Sequence, residues 1–107
     1  MTTAQPPIRS FLFVPADSER KYQKAAATKA DALILDLEDS VAQENLPKAR
    51  EMARDYLSAQ RDDRTRQQLW VRCNPLETPL ALPDLAAIMA GAPDGIILPK
   101  TYSAQEA

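Results

Sequence analysis

Histidine is absent from the 107-residue sequence, and cysteine occurs once, at Cys73. Without histidine, the chain cannot form a Ser/His/Asp triad, a Cys/His dyad or an HExxH zinc site. A single cysteine excludes an internal disulfide and a CxxC motif, which fits a reducing cytoplasm. No apolar run approaches the roughly 18 residues of a membrane span, and the amino terminus MTTAQPP does not have the pattern of a signal peptide. We therefore expect a cytoplasmic protein that does not bind a membrane.

The charge balance gives no indication of a nucleic-acid partner. The chain carries 13 basic and 15 acidic residues, a net charge of −2, and the basic residues do not form one block. A sequence that is 45% hydrophobic and 26% charged is ordinary for a globular protein. The length fits one small domain.

Short apolar runs alternate with segments of helical periodicity. The runs are SFLFVP, ALILDLED, QLWVRCN and GIILPK, and YSAQEA at the end predicts the opening of a further helix. Alternating strands and helices indicate a parallel sheet with right-handed crossovers. We predict an α/β fold in which residues 1–9 form a lead-in and residues 10–107 form about four parallel βα units.

Residues that favour helix ends support these boundaries. Asp17 or Ser18 can cap the helix after the first strand. Pro47 lies where the first turn of a helix tolerates proline, and Gly91 suits the end of the third helix. Cys73 is interpreted as a small buried apolar residue.

Charged side chains follow the carboxyl ends of the strands, where parallel α/β folds collect their functional residues. The second strand ends in Asp36, Glu38 and Asp39. Alternation places Asp36 and Glu38 on one face about 7 Å apart, where their repulsion is about 2 kcal/mol at an effective dielectric of ~20. A hydrated divalent cation or a basic cluster would offset this repulsion. Arg72, at the end of the third strand, carries a planar group suited to a carboxylate.

The motifs LFVPAD, DLEDSV, VRCN and LPK follow one another in an order and spacing that resemble one family. The stretch from Arg9 to about Thr101 is similar to the amino-terminal half of the citrate lyase β-subunit-like family, within the HpcH/HpaI aldolase superfamily. The resemblance implies a TIM (β/α)8 barrel and Mg²⁺-dependent chemistry on CoA thioesters. Members cleave 3-hydroxyacyl-CoA compounds of malyl-CoA or citramalyl-CoA type into acetyl-CoA and a 2-oxo acid, and some hydrolyse the thioester.

The resemblance also implies roles for individual residues. Arg72 would hold substrate oxygens and help to neutralise the charge of a developing enolate. Glu38 and Asp39 would bind the waters on Mg²⁺ without touching the metal. The remaining substrate-binding candidates are three basic residues. Arg9 and Lys24 match positions near the CoA phosphates, and Lys100 matches a lysine at the end of the fourth strand.

The family's direct metal ligands are a glutamate on strand five and an aspartate on strand six, so we expect them beyond Ala107. A complete barrel takes roughly 250 residues, and the chain therefore corresponds to the first half of one. A half barrel leaves open sheet edges, which favours a homo-oligomer.

Other interpretations stay open at this point. The acids could be a solvated strand end, and Arg72 could be a structural ion-pair partner. The chain could belong to an acyl-CoA thioesterase of the same family or be a non-catalytic remnant. A phosphoacceptor receiver domain is a binding switch of similar length, but it places its acids after the first and third strands.

Overall fold

The structure is a computed structural model that describes residues 10–61 and 67–99. The strands are β1 (Phe11–Pro15), β2 (Ala32–Asp36), β3 (Gln68–Arg72) and β4 (Gly95–Ile97); the helices are α1 (Glu19–Ala26), α2 (Leu46–Ala59) and α3 (Ala81–Ala90), and a short 3-10 turn, Gln43–Asn45, precedes α2. The predicted lead-in, the helix opening in YSAQEA, Arg9 and Lys100 lie outside the described residues.

The four strands form one parallel sheet in the consecutive order β1-β2-β3-β4. In register, Leu35 of β2 lies beside Val14 of β1 and Val71 of β3. The prediction of consecutive parallel βα units is confirmed. The order contradicts a receiver domain, because in that doubly wound fold the first strand lies between the second and third.

The two faces of the sheet differ in their cover. One face packs under the helices in a core of fully buried side chains that includes Leu33, Leu35, Val71, Leu57 and Ile88.

The other face lacks such cover within the described residues. There Phe11 meets Trp70 edge to face, with ring centroids 6.1 Å apart, and both Phe11 and Phe13 are 48% exposed.

Asp36 and Arg72 lie opposite each other in register at the carboxyl end of β2 and β3. We call this end of the sheet the rim.

Helix boundaries follow the predicted signals, with one difference in cause. Ser18 caps α1 by accepting a hydrogen bond from the Lys21 N–H at 3.3 Å, and Pro47 lies in the first turn of α2. Helix α3 ends before Gly91, but Gly91 has φ −89° and not the left-handed conformation of a typical glycine cap. A Cβ there would lie 2.5 Å from Cβ of Leu57, so close packing between α3 and α2 is the reason for glycine.

Candidate functional site at the rim

Asp36, the last residue of β2, organises the rim. Its side chain is fully buried and accepts hydrogen bonds from the backbone N–H groups of Glu38, at 2.9 Å, and Ser40, at 3.1 Å. The Ser40 hydroxyl donates a further bond at 2.6 Å. These bonds turn the chain out of the strand, as aspartate side chains do in local turns. The strand therefore ends at Asp36, two residues before Glu38. The predicted placement of Asp36 and Glu38 on one strand face requires a strand that reaches Glu38, so that prediction differs from the structure.

Arg72 is the positive partner of the acids. Its Nε donates to Oδ1 of Asp36 at 2.9 Å and its Nη2 donates to Oδ2 at 2.6 Å, a bidentate pair. Burial acts to raise the pKa of the Asp36 carboxyl, but the hydrogen bonds from Arg72, Ser40 and the Glu38 N–H outweigh burial and lower that pKa. The same pair raises the pKa of Arg72. Both groups are therefore charged at neutral pH.

Glu38 and Asp39 complete what we call the rim cluster: Asp36, Glu38, Asp39 and Arg72. Oε1 of Glu38 lies 3.4 Å from Nε of Arg72, and Oδ2 of Asp39 lies 3.8 Å from Nη2. The Glu38 side chain is 21% exposed and that of Asp39 is 77% exposed. Burial and the neighbouring Asp39 charge raise the pKa of Glu38. The cluster brings three acids and one base together, as predicted for Glu38, Asp39 and Arg72.

A second polar group lies behind the rim, and we call it the buried network: Arg50, Asn74 and Asp84. Fully buried Asp84 accepts bonds from Nε of Arg50 at 2.7 Å and from the backbone N–H and Nδ2 of Asn74 at 2.8 and 2.7 Å. The same Nδ2 donates to the Leu37 carbonyl at 3.1 Å. The network thus ties α2 and α3 to the segment that carries Glu38.

The structure does not bring every predicted site residue to the rim. Lys24 lies in the last turn of α1, where the neighbouring carbonyls of Ala25 and Thr28 accept bonds from Gln67, just before β3 begins. This position is at the amino-terminal edge of the sheet, opposite Arg72. The contacts with CoA phosphates implied for Lys24 and Arg9 stay predictions, and so does the substrate-binding role of Lys100.

Sequence reasoning missed Asp36, Asp84 and Arg50 as site or support residues. Asp36 is one of three acids at the end of the second strand, and an aspartate that ends an otherwise apolar buried strand is itself a signal, because a buried charge requires a partner. Asp84 and Arg50 are 34 positions apart, and nothing in their local sequence links them. Cys73 is fully buried, as predicted, and burial raises its pKa, with Asp84 nearby adding to the effect.

Two general findings concern the described ranges only. No group of three His, Cys, Asp or Glu side chains in residues 10–61 and 67–99 could hold a metal ion directly. In the same ranges, no helix is long and apolar enough to cross a membrane.

Comparison with known proteins assigns the chain to a family. Residues 9–107 match the family HpcH/HpaI aldolase/citrate lyase. The chain belongs to this family. Its relatives include a (3S)-malyl-CoA thioesterase of Cereibacter sphaeroides, 38% identical over 100 residues, and the citrate lyase subunit beta of Escherichia coli, 38% identical over 98 residues. These matches cover 94% and 92% of this chain but 34% and 32% of the relatives, so the chain spans about a third of their length.

Solved structures agree with the family assignment. Protein CitE of Mycobacterium tuberculosis in complex with magnesium and acetate superposes with a TM-score of 0.70 at 41% identity, covering 90% of this chain and 37% of that one. The same protein has been solved with magnesium, acetoacetate and coenzyme A, with a TM-score of 0.70 at 41% identity, covering 90% of this chain and 33% of that one. The predicted fold class, parallel βα units of a TIM-barrel type, is confirmed by these neighbours.

Proposed function

We propose that this chain supplies part of the active site of a Mg²⁺-dependent carbon–carbon lyase. The substrates would be 3-hydroxyacyl-CoA thioesters of malyl-CoA or citramalyl-CoA type, and the products acetyl-CoA and a 2-oxo acid. The observation that carries the proposal is Arg72, held among three acids at the carboxyl end of a parallel sheet, where such folds place their catalytic residues.

The charges of the rim cluster fit a hydrated divalent cation. Three carboxylates against one guanidinium leave two excess negative charges when all four groups are ionised. Glu38 and exposed Asp39 can accept hydrogen bonds from water on Mg²⁺, while Asp36 is already occupied by Arg72 and Ser40. Mg²⁺, when bound, would polarise oxygens of the substrate. Two solved structures from M. tuberculosis contain magnesium, one with acetate and one with oxaloacetate.

Arg72 would bind an anionic substrate oxygen. A buried carboxylate already holds the guanidinium in place. The guanidinium can therefore stabilise charge that develops in a transition state, because it does not have to move first. Removing such a donor from a reacting oxygen typically costs about 10²–10³ in kcat. Arg72 therefore carries the catalytic role in this proposal, and Glu38 and Asp39 support the metal.

A thioesterase of the same family is the second candidate, because a relative with 38% identity carries that name. The products separate the two activities. A lyase releases acetyl-CoA and a 2-oxo acid, whereas a thioesterase releases free CoA, whose thiol reacts with a thiol reagent.

The test uses a chimera in which residues 9–99 replace the matching segment of the C. sphaeroides relative. We expect Mg²⁺-dependent cleavage of malyl-CoA or citramalyl-CoA to acetyl-CoA. Because the parent relative itself carries the name of a thioesterase, release of free CoA alone would favour the thioesterase only if it is at least as fast as in the parent. A folded chimera that consumes neither substrate, beside an active parent relative, would contradict both candidates.

A further inference from the structure

The guanidinium of Arg72 has three nitrogens, and every carboxylate contact in the described residues uses only two of them. Asp36 takes Nε and Nη2, Glu38 approaches Nε, and Asp39 approaches Nη2. Within the part of the chain that the structure describes, Nη1 makes no hydrogen bond. It is the closest nitrogen to none of the three acids, and the side chain is 21% exposed.

Phe13 contacts the same group. The guanidinium carbon of Arg72 lies 4.6 Å from the centroid of the Phe13 ring, a distance at which the ring attracts a cation. Asp36 thus holds one edge of the guanidinium, and the Phe13 ring lies against the same group. Turning the guanidinium away from this position breaks both contacts.

Asp36 is in turn fixed from outside the pair. Its carboxylate accepts bonds from Ser40 and from the Glu38 N–H, so it cannot follow Arg72 if the arginine moves. The edge of the guanidinium is therefore bound to a rigid turn rather than to a mobile acid.

We propose that Asp36 and Phe13 are positioning residues that orient Arg72 so that the Nη1 end of its guanidinium faces an anionic oxygen of the substrate. The proposal rests on the proposed substrate role of Arg72 and narrows it. Asp36 occupies the edge of the guanidinium formed by Nε and Nη2, so the substrate contact uses the opposite end, formed by Nη1 and the remaining hydrogen of Nη2.

The first test measures how fast individual arginines react with phenylglyoxal, using mass spectrometry of the 107-residue chain. Arg54, with a side chain 44% exposed, is the reference for an accessible arginine. Arg50, paired with Asp84 and 17% exposed, is the reference for a held one. We expect Arg72 to react far more slowly than Arg54.

Variants then identify what holds Arg72. Asp36→Asn should raise the Arg72 rate relative to Arg50 by roughly tenfold, since a charge-assisted contact is lost. Phe13→Leu, which alters only a half-exposed side chain, should raise it by about two- to fivefold. Ser40→Ala is the matched control: it removes one bond to Asp36, leaves both bonds to Arg72, and should change the ratio little.

The second test is a double-mutant cycle in the chimera with the C. sphaeroides relative, assayed with malyl-CoA. If Asp36 acts through Arg72, Asp36→Asn should lower kcat by about 10–100-fold, and this loss should largely disappear when Arg72 is already alanine. A purely structural role for Asp36 predicts equal losses in both backgrounds.

The proposal is overturned if Arg72 of the wild type reacts as fast as Arg54, or if Phe13→Leu leaves the ratio unchanged. It is also overturned if Asp36→Asn speeds the reactions of Arg50 and Arg72 with phenylglyoxal equally and Phe13→Leu does not speed that of Arg72 in particular. An inactive chimera contradicts the proposed function alone, because the phenylglyoxal rates report on Arg72 without any activity.

Discussion

Asp84 belongs to the buried network, and its truncation to alanine should destabilise the protein more than the truncation of an exposed charged residue. Asp84→Ala removes the acceptor of three hydrogen bonds of 2.7–2.8 Å. It leaves Arg50 without its carboxylate and Asn74 with two unsatisfied donors. Breaking one side of a buried ion pair costs about 3–5 kcal/mol. Because Arg50 is 17% exposed and water can reach it, we expect the lower end, about 3 kcal/mol.

That loss is large against the roughly 5–15 kcal/mol that stabilises a domain. For a domain of this size it corresponds to a fall in Tm of about 12–24 °C. The measurement is thermal and urea unfolding followed by circular dichroism at one fixed protein concentration. Asp84→Asn, which keeps the shape and removes the charge, should fall between the wild type and Asp84→Ala.

The matched control is the exposed pair of Arg54 and Asp55, 3.5 Å apart with side chains 44% and 69% exposed. Asp55→Ala should change stability by no more than about 0.5 kcal/mol. If Asp84→Ala costs less than about 1 kcal/mol, the buried network does not fix the rim segments and the reasoning from burial and hydrogen bonds is refuted.

Three further predictions concern the rim and the open sheet. Because the pKa of Asp36 is lowered in the folded protein, its contribution to stability is present above the unfolded value of about 3.9 and is lost as pH falls through the folded pKa; acid unfolding of Asp36→Asn should be less steep, and an unchanged profile would contradict the ion pair. Because the pKa of Glu38 is raised, folding works against its ionisation, so Glu38→Gln should raise the free energy of unfolding at pH 7, and a clear fall would show that Arg72 outweighs the other acids. Within the described residues β1 is an edge strand of the sheet and Phe11 and Phe13 are 48% exposed, so the 107-residue chain should self-associate. Because no group of acids there could hold a metal ion directly, the chain should also bind Mg²⁺ only weakly; light scattering that finds a monomer, or calorimetry that finds micromolar affinity, would contradict this prediction.

The elements of the fold could be predicted because their signals are local. The apolar run around Leu33–Leu35 is a strand whose five residues are all buried. Ser18 caps α1, and Pro47 lies in the first turn of α2, as predicted. The alternation with helices predicted a parallel sheet, and the resemblance to a TIM-barrel family implied its consecutive strand order. Gly91 ended its helix for a reason that the sequence does not display, since the close approach of Leu57 depends on how two helices pack.

The rim was predicted in its composition but not in its pairing. The spacing of Asp36 and Glu38 suggested two acids on one strand face, whereas the hydrogen bonds of Asp36 to Glu38 and Ser40 end the strand first. The partner of Asp36 lies 36 positions away, in the neighbouring strand, and only the register between β2 and β3 places it opposite. Likewise, the packing of α3 against α2 brings Arg50 to Asp84, and no local pattern specifies that contact.

The most direct test of the account compares two arginines that are each paired with a buried aspartate, of which one lies at the rim and one behind it. Arg72→Lys and Arg50→Lys both keep the charge and lose the bidentate or directed geometry of the guanidinium. We measure kcat/KM for malyl-CoA in the chimera with the C. sphaeroides relative, normalised to the amount of folded protein. The account predicts a loss of at least roughly tenfold for Arg72→Lys and a change of less than about twofold for Arg50→Lys. Equal activities in the two variants would contradict the claim that Arg72 acts on the substrate.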